Sequence, residues 1–234
     1  MKELFCLLLF AAVSLSFLYE MFVAADISVA RTDFLHVRGI TPIMYRPKNI
    51  WSRFAKRLTD IAISLAVCLT VLPLLYIVLG VIIKLTSKGP IIFKHLRVGQ
   101  FGKEFYCFKF RSMYVDAGPQ KAVENDIRVT PVGKFIRKTH LDEIPQFFNV
   151  LIGDMSLVGP RPLTKERLAK YEDTSLLDMR LLVRPGITGV NQLKGRNAPQ
   201  ETYLKTDAEY ICSQSWWQDF KILCQTLTFK DYAY

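Results

Sequence analysis

Histidine is scarce in this sequence, and its cysteines keep no metal-ligand spacing. His36, His95 and His140 are scattered; Cys6 and Cys68 sit inside apolar runs, while Cys107, Cys212 and Cys224 stand alone. The absence of any CxxC or Cys/His cluster argues against zinc and fits a reducing compartment. No P-loop, GxGxxG or GxSxG occurs, which argues against the common nucleotide-binding and hydrolase folds. Internal repeats and low-complexity tracts are absent as well.

What is present is an uncommon mixture. Half of the 234 residues are apolar, yet 31 Lys and Arg stand against 21 Asp and Glu, a net charge of +10. Such an excess suits a partner bearing phosphates: nucleic acid, anionic lipid or a phosphorylated substrate. The long apolar run described next weighs against nucleic acid. The length allows one ordinary domain plus membrane-embedded or linking segments.

Ile61 to Ile83 is a run of 23 residues without a charge, long enough as a helix to cross a hydrocarbon core of about 30 Å. Pro73 near its middle predicts a break. Arg53, Lys56 and Arg57 precede the run and Lys84 and Lys88 follow it. Basic residues at both ends suit a helix that enters the membrane, bends and leaves by the cytoplasmic face. A crossing helix with a tolerated proline fits the same residues. A second apolar stretch, Leu4 to Tyr19, continues from Met21 to Ala25. Val23-Ala24-Ala25 resembles a signal cleavage site, but seven basic residues and one acid between Arg31 and Arg57 favour an uncleaved anchor with its amino end outside. The expected organisation is an apolar anchor over 1–25, a basic linker over 26–50, a membrane helix over 51–90, re-entrant or crossing, and a soluble domain, the candidate catalytic part, over 91–234.

In that last part, Pro90 to Arg97 and Glu104 to Arg111 read as a β-hairpin joined through Val98 to Lys103. Thr139-His-Leu-Asp142 matches a capping box and predicts a helix start there. Leu163 to Leu182 reads as helix, as does Glu201 to Phe229, with Trp216, Trp217, Phe220, Leu223 and Leu227 near one side. Tryptophans in such a stripe suit either the lipid headgroup level or a protein core. The fold class expected is α+β and helix-rich.

Asp142-Glu143 is the candidate chemical centre. Among 21 acids, chance supplies about two adjacent pairs, and two occur, the other being Glu172-Asp173. Context separates them, because Asp142-Glu143 follows a stretch rich in lysine and arginine, including Lys94, Arg97, Lys109, Arg111, Arg137 and Lys138. Neighbouring helical residues point about 100° apart, so two separate roles, nucleophile and ligand to a divalent metal, suit the pair better than a shared proton. A helix cap and a surface ion pair fit the same residues. Arg161, in Gly159-Pro-Arg-Pro162, and the Arg184-Pro-Gly-Ile-Thr-Gly189 turn offer guanidinium groups for phosphate.

Six segments in order carry a resemblance: Lys56-Arg-Leu-Thr-Asp60, Lys84-Leu-Thr-Ser-Lys-Gly-Pro90, Lys109-Phe-Arg-Ser-Met113, Leu141-Asp-Glu-Ile-Pro-Gln-Phe-Phe-Asn149, Gly153-Asp-Met-Ser-Leu-Val-Gly-Pro-Arg-Pro162 and Arg184-Pro-Gly-Ile-Thr-Gly189. From about Trp51 to Tyr234 the chain resembles the bacterial sugar transferases, monotopic polyprenyl-phosphate phosphoglycosyl transferases. The resemblance implies a re-entrant helix broken at Pro73, and transfer of a sugar-1-phosphate from a nucleotide sugar, usually a UDP-sugar, to undecaprenyl phosphate. It implies Asp142 as nucleophile, Glu143 as ligand to Mg²⁺, and Lys109, Arg111, Arg137 and Arg161 as phosphate-binding residues. Asp207, in Lys205-Thr-Asp-Ala-Glu-Tyr210, matches a family acid whose role the sequence does not explain. The implied location is the bacterial inner membrane, on the cytoplasmic face and near anionic lipids. Leu72-Pro73 departs from the usual Ser-Pro, and His95 and Val190 stand where glutamine and an aromatic are common. A phosphohydrolase or nucleotidyltransferase using the same pair, and a basic membrane-surface adaptor, are the rival expectations; oligomeric state and the sugar are not legible.

Overall fold

The computed structural model describes residues 50–115, 126–171, 174–194 and 200–228. The expected anchor over 1–25 and all but the last residue of the expected linker lie outside these residues. What is described is a helix-rich α+β fold with two small sheets.

The long apolar run forms the end of α1 (Ile50–Leu69) and most of α2 (Val71–Thr86), two helices bent by 44°. The break falls at Thr70, three residues before Pro73. A proline ring clashes with the carbonyl four residues earlier, here Leu69, so the first helix ends there. Pro73 then occupies the first turn of α2, where an N–H has no intrahelical acceptor anyway. A hydroxyl also stands at the bend, since Thr70 Oγ1 donates to the Ala66 carbonyl at 2.7 Å. Among the described residues no single helix is long and apolar enough to cross a membrane. The bent pair together has the length and composition for a broken span or a re-entrant loop. Leu74, Ile77, Val81 and Leu85 are exposed along α2, while Leu79 and Ile83 turn inward onto Phe110 and Ile136.

The basic residues before this run do not all face outward. Lys56 Nζ donates to Asp219 Oδ2 at 2.6 Å and to the Val158 carbonyl at 3.1 Å. Arg57 donates to the carbonyls of Val150 and Leu151 at 2.7 and 3.0 Å. Asp60, also buried, accepts from Leu157 N. The first half of α1 is therefore built into the rest of the fold, and two of the three residues counted toward a basic flank are engaged there. Lys84 and Lys88 remain exposed.

The expected hairpin is present, as β1 (Ile92–Val98) and β2 (Glu104–Phe110), with Ile92 opposite Phe110 and Val98 opposite Glu104. Asn149 pins α4 (Gln146–Ile152) to the free edge of β2, accepting from Phe108 N at 3.0 Å and donating to the Tyr106 carbonyl at 2.8 Å. The capping box expected at Thr139 does not form. A helix, α3 (Pro131–Lys138), ends there instead; it is capped by Thr130, whose hydroxyl accepts from Gly133 N at 2.9 Å, with Pro131 at its first position. Thr139 closes that helix, its hydroxyl donating back to the Phe135 carbonyl.

Beyond α4, β3 (Ser156–Val158) pairs in parallel with β4 (Gly186–Thr188). Gly159 and Gly186 touch backbone to backbone, and a Cβ on Gly186 would fall on Gly159 N. The single helix expected over 163–182 is two, α5 (Lys165–Leu168) and α6 (Thr174–Leu181). After α7 (Val190–Leu193), the expected tail helix is also two, α8 (Gln200–Ser213) and α9 (Trp216–Thr228). Ser215 restarts the chain, its hydroxyl accepting from Gln218 N. Asp219 and Ile222 face inward on α9, whereas Trp216, Trp217 and Phe220 are exposed and pack on one another. The aromatic stripe is thus a surface feature. The main core gathers Phe105, Cys107, Val150, Met155, Leu157 and Ile211 under the hairpin and α4.

Candidate active site

The Asp142-Glu143 pair lies on a single 3₁₀ turn, Leu141–Glu143, between α3 and α4. His140 ahead of it is left-handed, at φ 56°, a conformation uncommon for a residue with a side chain. That reversal turns the chain off the end of α3 and lays both carboxylates against β2. Both are buried: Asp142 is 3% exposed and Glu143 9%.

Lys109 projects from β2 between the two acids. Its ammonium lies 2.5 Å from Glu143 Oε1 and 3.7 Å from Asp142 Oδ2. Arg161 approaches Glu143 Oε1 from the other side, at 3.1 Å. The effects on the two acids are opposite. Burial pushes Glu143 up, but Lys109 and then Arg161 outweigh it and hold its carboxyl well below the usual carboxylate range. Burial pushes Asp142 up to about 6, with Glu143 adding to the rise and Lys109, Arg137 and Arg161 opposing it. Asp142 Oδ1 is buried and accepts no hydrogen bond. One acid is therefore fixed as an anion among cations, while its neighbour is poorly solvated and still mostly ionised at pH 7. The two carboxylates thus occupy unlike electrostatic environments.

Of the expected phosphate-binding residues, Lys109 and Arg161 contact the pair, and Arg137, in the last turn of α3, is near enough to act on Asp142 electrostatically. Arg111 is not brought there. It is buried, and its guanidinium donates to the carbonyls of Lys88 at 2.8 Å, Ser87 at 2.7 Å and Ile83 at 3.4 Å. The carbonyls of Ser87 and Lys88 lie just past the end of α2, so Arg111 ties the apolar helix to the hairpin. Pro73 belongs to the helix bend. Asp207 is buried on α8, where it pairs with Arg180 Nη1 at 3.1 Å and accepts from Asn191 Nδ2 at 2.7 Å.

Sequence reading missed Arg180 and Asn191. A charged residue inside Leu176-Leu-Asp-Met-Arg-Leu-Leu182 is the signal for Arg180, since charges set among leucines are seldom solvated. Asn191 carried no such mark.

No group of three or more His, Cys, Asp or Glu placed to hold a metal occurs among the described residues. Mg²⁺, however, is commonly held by one or two carboxylates with substrate phosphates supplying the rest. Two adjacent buried carboxylates, one with an oxygen lacking any hydrogen bond, fit that donor set.

The fold and site thus define a helix-rich α+β protein with an acidic pair embedded in buried and half-buried cations. A sequence profile of the bacterial sugar transferases matches residues 51–230, and the chain belongs to that family. It is 41% identical over 214 residues to the UDP-glucose:undecaprenyl-phosphate glucose-1-phosphate transferase of Klebsiella pneumoniae, covering 86% of this chain and 45% of that protein. It is 41% identical over 194 residues to the undecaprenyl-phosphate galactose phosphotransferase of Salmonella typhimurium, covering 75% and 40%. With the galactosyl transferase CpsE of Streptococcus agalactiae the identity is 46% over 155 residues, covering 59% and 34%. The chain spans less than half the length of these relatives.

Proposed function

We propose that this chain transfers a sugar-1-phosphate from a UDP-sugar to undecaprenyl phosphate, with Asp142 as a covalent nucleophile. The observation that carries the reading is the state of Asp142: buried, lacking a hydrogen bond on Oδ1, and next to Lys109, Arg137 and Arg161. An underivatised carboxylate stripped of its solvent is a better nucleophile, and the cations receive the diphosphate it must attack. The relatives' names supply the substrate class.

In the first step an Asp142 oxygen attacks the sugar-linked phosphorus. The bond from that phosphorus to the bridging oxygen breaks, and UMP departs with the electron pair. In the second step an oxygen of undecaprenyl phosphate attacks the same phosphorus. The bond to Asp142 breaks, which regenerates the carboxylate and leaves a lipid diphosphate sugar. Lys109 and Arg161 hold Glu143 ionised and present their charge to the phosphates, and Arg161, its side chain 39% exposed, reaches the solvent side. Glu143 would hold Mg²⁺, which when bound neutralises diphosphate charge.

The acceptor lipid places this chemistry at a membrane surface. In this reading the α1–α2 pair is a re-entrant hairpin of the inner membrane, with the site on the cytoplasmic face near anionic lipids. Incubation with UDP-glucose or UDP-galactose, Mg²⁺ and undecaprenyl phosphate tests it. Sustained UMP release that requires the lipid acceptor and yields lipid-linked sugar is expected. Sustained release at the same rate without the acceptor would mark a phosphohydrolase instead.

A further inference from the structure

Arg161 sits on a segment whose backbone is held at each successive carbonyl. Pro160 O accepts from Gly186 N at 2.9 Å, Pro162 O accepts from Arg97 Nη1 at 3.2 Å, and Arg161 O accepts from Arg180 Nη2. Pro160 and Pro162 also fix φ on either side. The guanidinium that meets Glu143 therefore springs from a base that cannot shift independently of these three contacts. Two of the three come from a neighbouring strand or hairpin. The third comes from the Arg180 side chain on α6, which must itself be fixed.

Asp207 is what fixes it. Arg180 is 7% exposed and Asp207 3%, and a buried ion pair of this kind costs desolvation that its own attraction scarcely repays. The arrangement divides the guanidinium between two partners: Nη1 lies 3.1 Å from Asp207 Oδ2 as a charge contact outside hydrogen-bond geometry, and Nη2 donates to Arg161 O. Asn191 Nδ2 donates to Asp207 Oδ1 at 2.7 Å and to the Tyr203 carbonyl at 2.8 Å, so the carboxylate is oriented in turn from α7. No atom of Asp207 is described as meeting Asp142 or Glu143.

We propose that Asp207 is a positioning residue for Arg161, acting through Arg180 on the Arg161 carbonyl and so setting the guanidinium onto Glu143. This deepens the transferase reading and rests on it. Removing the Asp207 charge frees Arg180, loosens the Arg161 carbonyl and withdraws positive charge from the acidic pair.

The test reads the Arg161 guanidinium directly, by ¹⁵N NMR of its side chain in the full chain, beside kcat/KM for UDP-sugar. Wild-type turnover, measured first, decides the transferase reading; the guanidinium spectrum needs no turnover and decides this one. Held on Glu143, the guanidinium turns slowly and its two Nη signals are expected to resolve in the wild type, whereas Asp207→Asn should average them and lower kcat/KM roughly tenfold. In the Arg161→Ala background the same change should cost about twofold or less, because coupled residues are not additive. Arg180→Lys keeps a cation for Asp207 but lacks the second nitrogen for Arg161 O, and should reproduce the averaging even if Asp207→Asn folds poorly. Arg161 Nη signals that stay resolved in both variants, or losses that add in full with Arg161→Ala, would overturn the proposal: a purely structural ion pair lowers Tm without loosening Arg161.

Discussion

Lys109 stands 2.5 Å from Glu143 and 3.7 Å from Asp142, so one ammonium is divided unequally between two adjacent carboxylates. Glu143 receives the short contact and a second cation, Arg161, and is pinned as an anion. Asp142 is left with burial as its largest influence and is pushed up to about 6. The separation of roles proposed for the pair follows from that asymmetry.

A cost in stability is the first consequence. The folded-state pKa of Asp142 is above its unfolded value of about 4, so between pH 4 and 6 the native state binds the proton more tightly than the unfolded chain. Stability contributed by this group is therefore highest below about pH 4 and is lost as pH rises through 6. Asp142→Asn should abolish turnover while stabilising the fold by on the order of 2–3 kcal/mol at pH 7.5, with the gain falling to a few tenths of a kcal/mol (about 0.2) by about pH 3.5. Denaturant melts at the two pH values check this; a variant less stable at pH 7.5 would contradict it.

Lys109 has a complementary prediction. Lys109→Met removes the largest opposing charge on both acids, so Glu143 and Asp142 should each titrate higher. The acid limb of kcat/KM, set by ionisation of Asp142, should move up from about pH 6, with activity at pH 7.5 down by about two orders of magnitude. A uniform drop at all pH values, with the limb unmoved, would show that Lys109 acts on substrate alone.

Arg111 separates stability from binding. Its sequence position beside Lys109 points to phosphate, yet its guanidinium occupies the carbonyls that end α2. Arg111→Met should cost about 2–4 kcal/mol of stability and leave KM for the UDP-sugar within about twofold. A large rise in KM with an unchanged melting curve would restore the phosphate role.

Much of this was legible beforehand. Two β-prone runs on either side of a link with two glycines made the hairpin readable to within two residues, and the acidic pair stood out because of its basic surroundings. The misses share a cause: tertiary contacts decided them. Thr139 matches a helix cap locally, but the Thr130-Pro131 start upstream had already claimed that stretch for α3. Lys56 and Arg57 read as a basic flank, and only the packing of α1 on α4 and α9 shows that they bond inward. Arg111 and Lys109, two residues apart on one strand, could not be told apart by spacing.

The bend at Thr70 bears on the membrane reading. In a variant lacking its native cysteines, single cysteines at Trp51 and Leu85, both exposed, should be labelled by an impermeant maleimide from the same side of a membrane vesicle. Labelling from opposite sides would make the pair a broken span.

The central claim, a covalent intermediate on Asp142, is tested most directly by mixing the enzyme with UDP-glucose or UDP-galactose and Mg²⁺ without lipid acceptor, then mapping the modified peptide by mass spectrometry. A hexose-phosphate on the peptide containing Asp142, chased off by undecaprenyl phosphate and absent in Asp142→Asn, is the predicted result. Lipid-linked product formed at full rate by Asp142→Asn would contradict it.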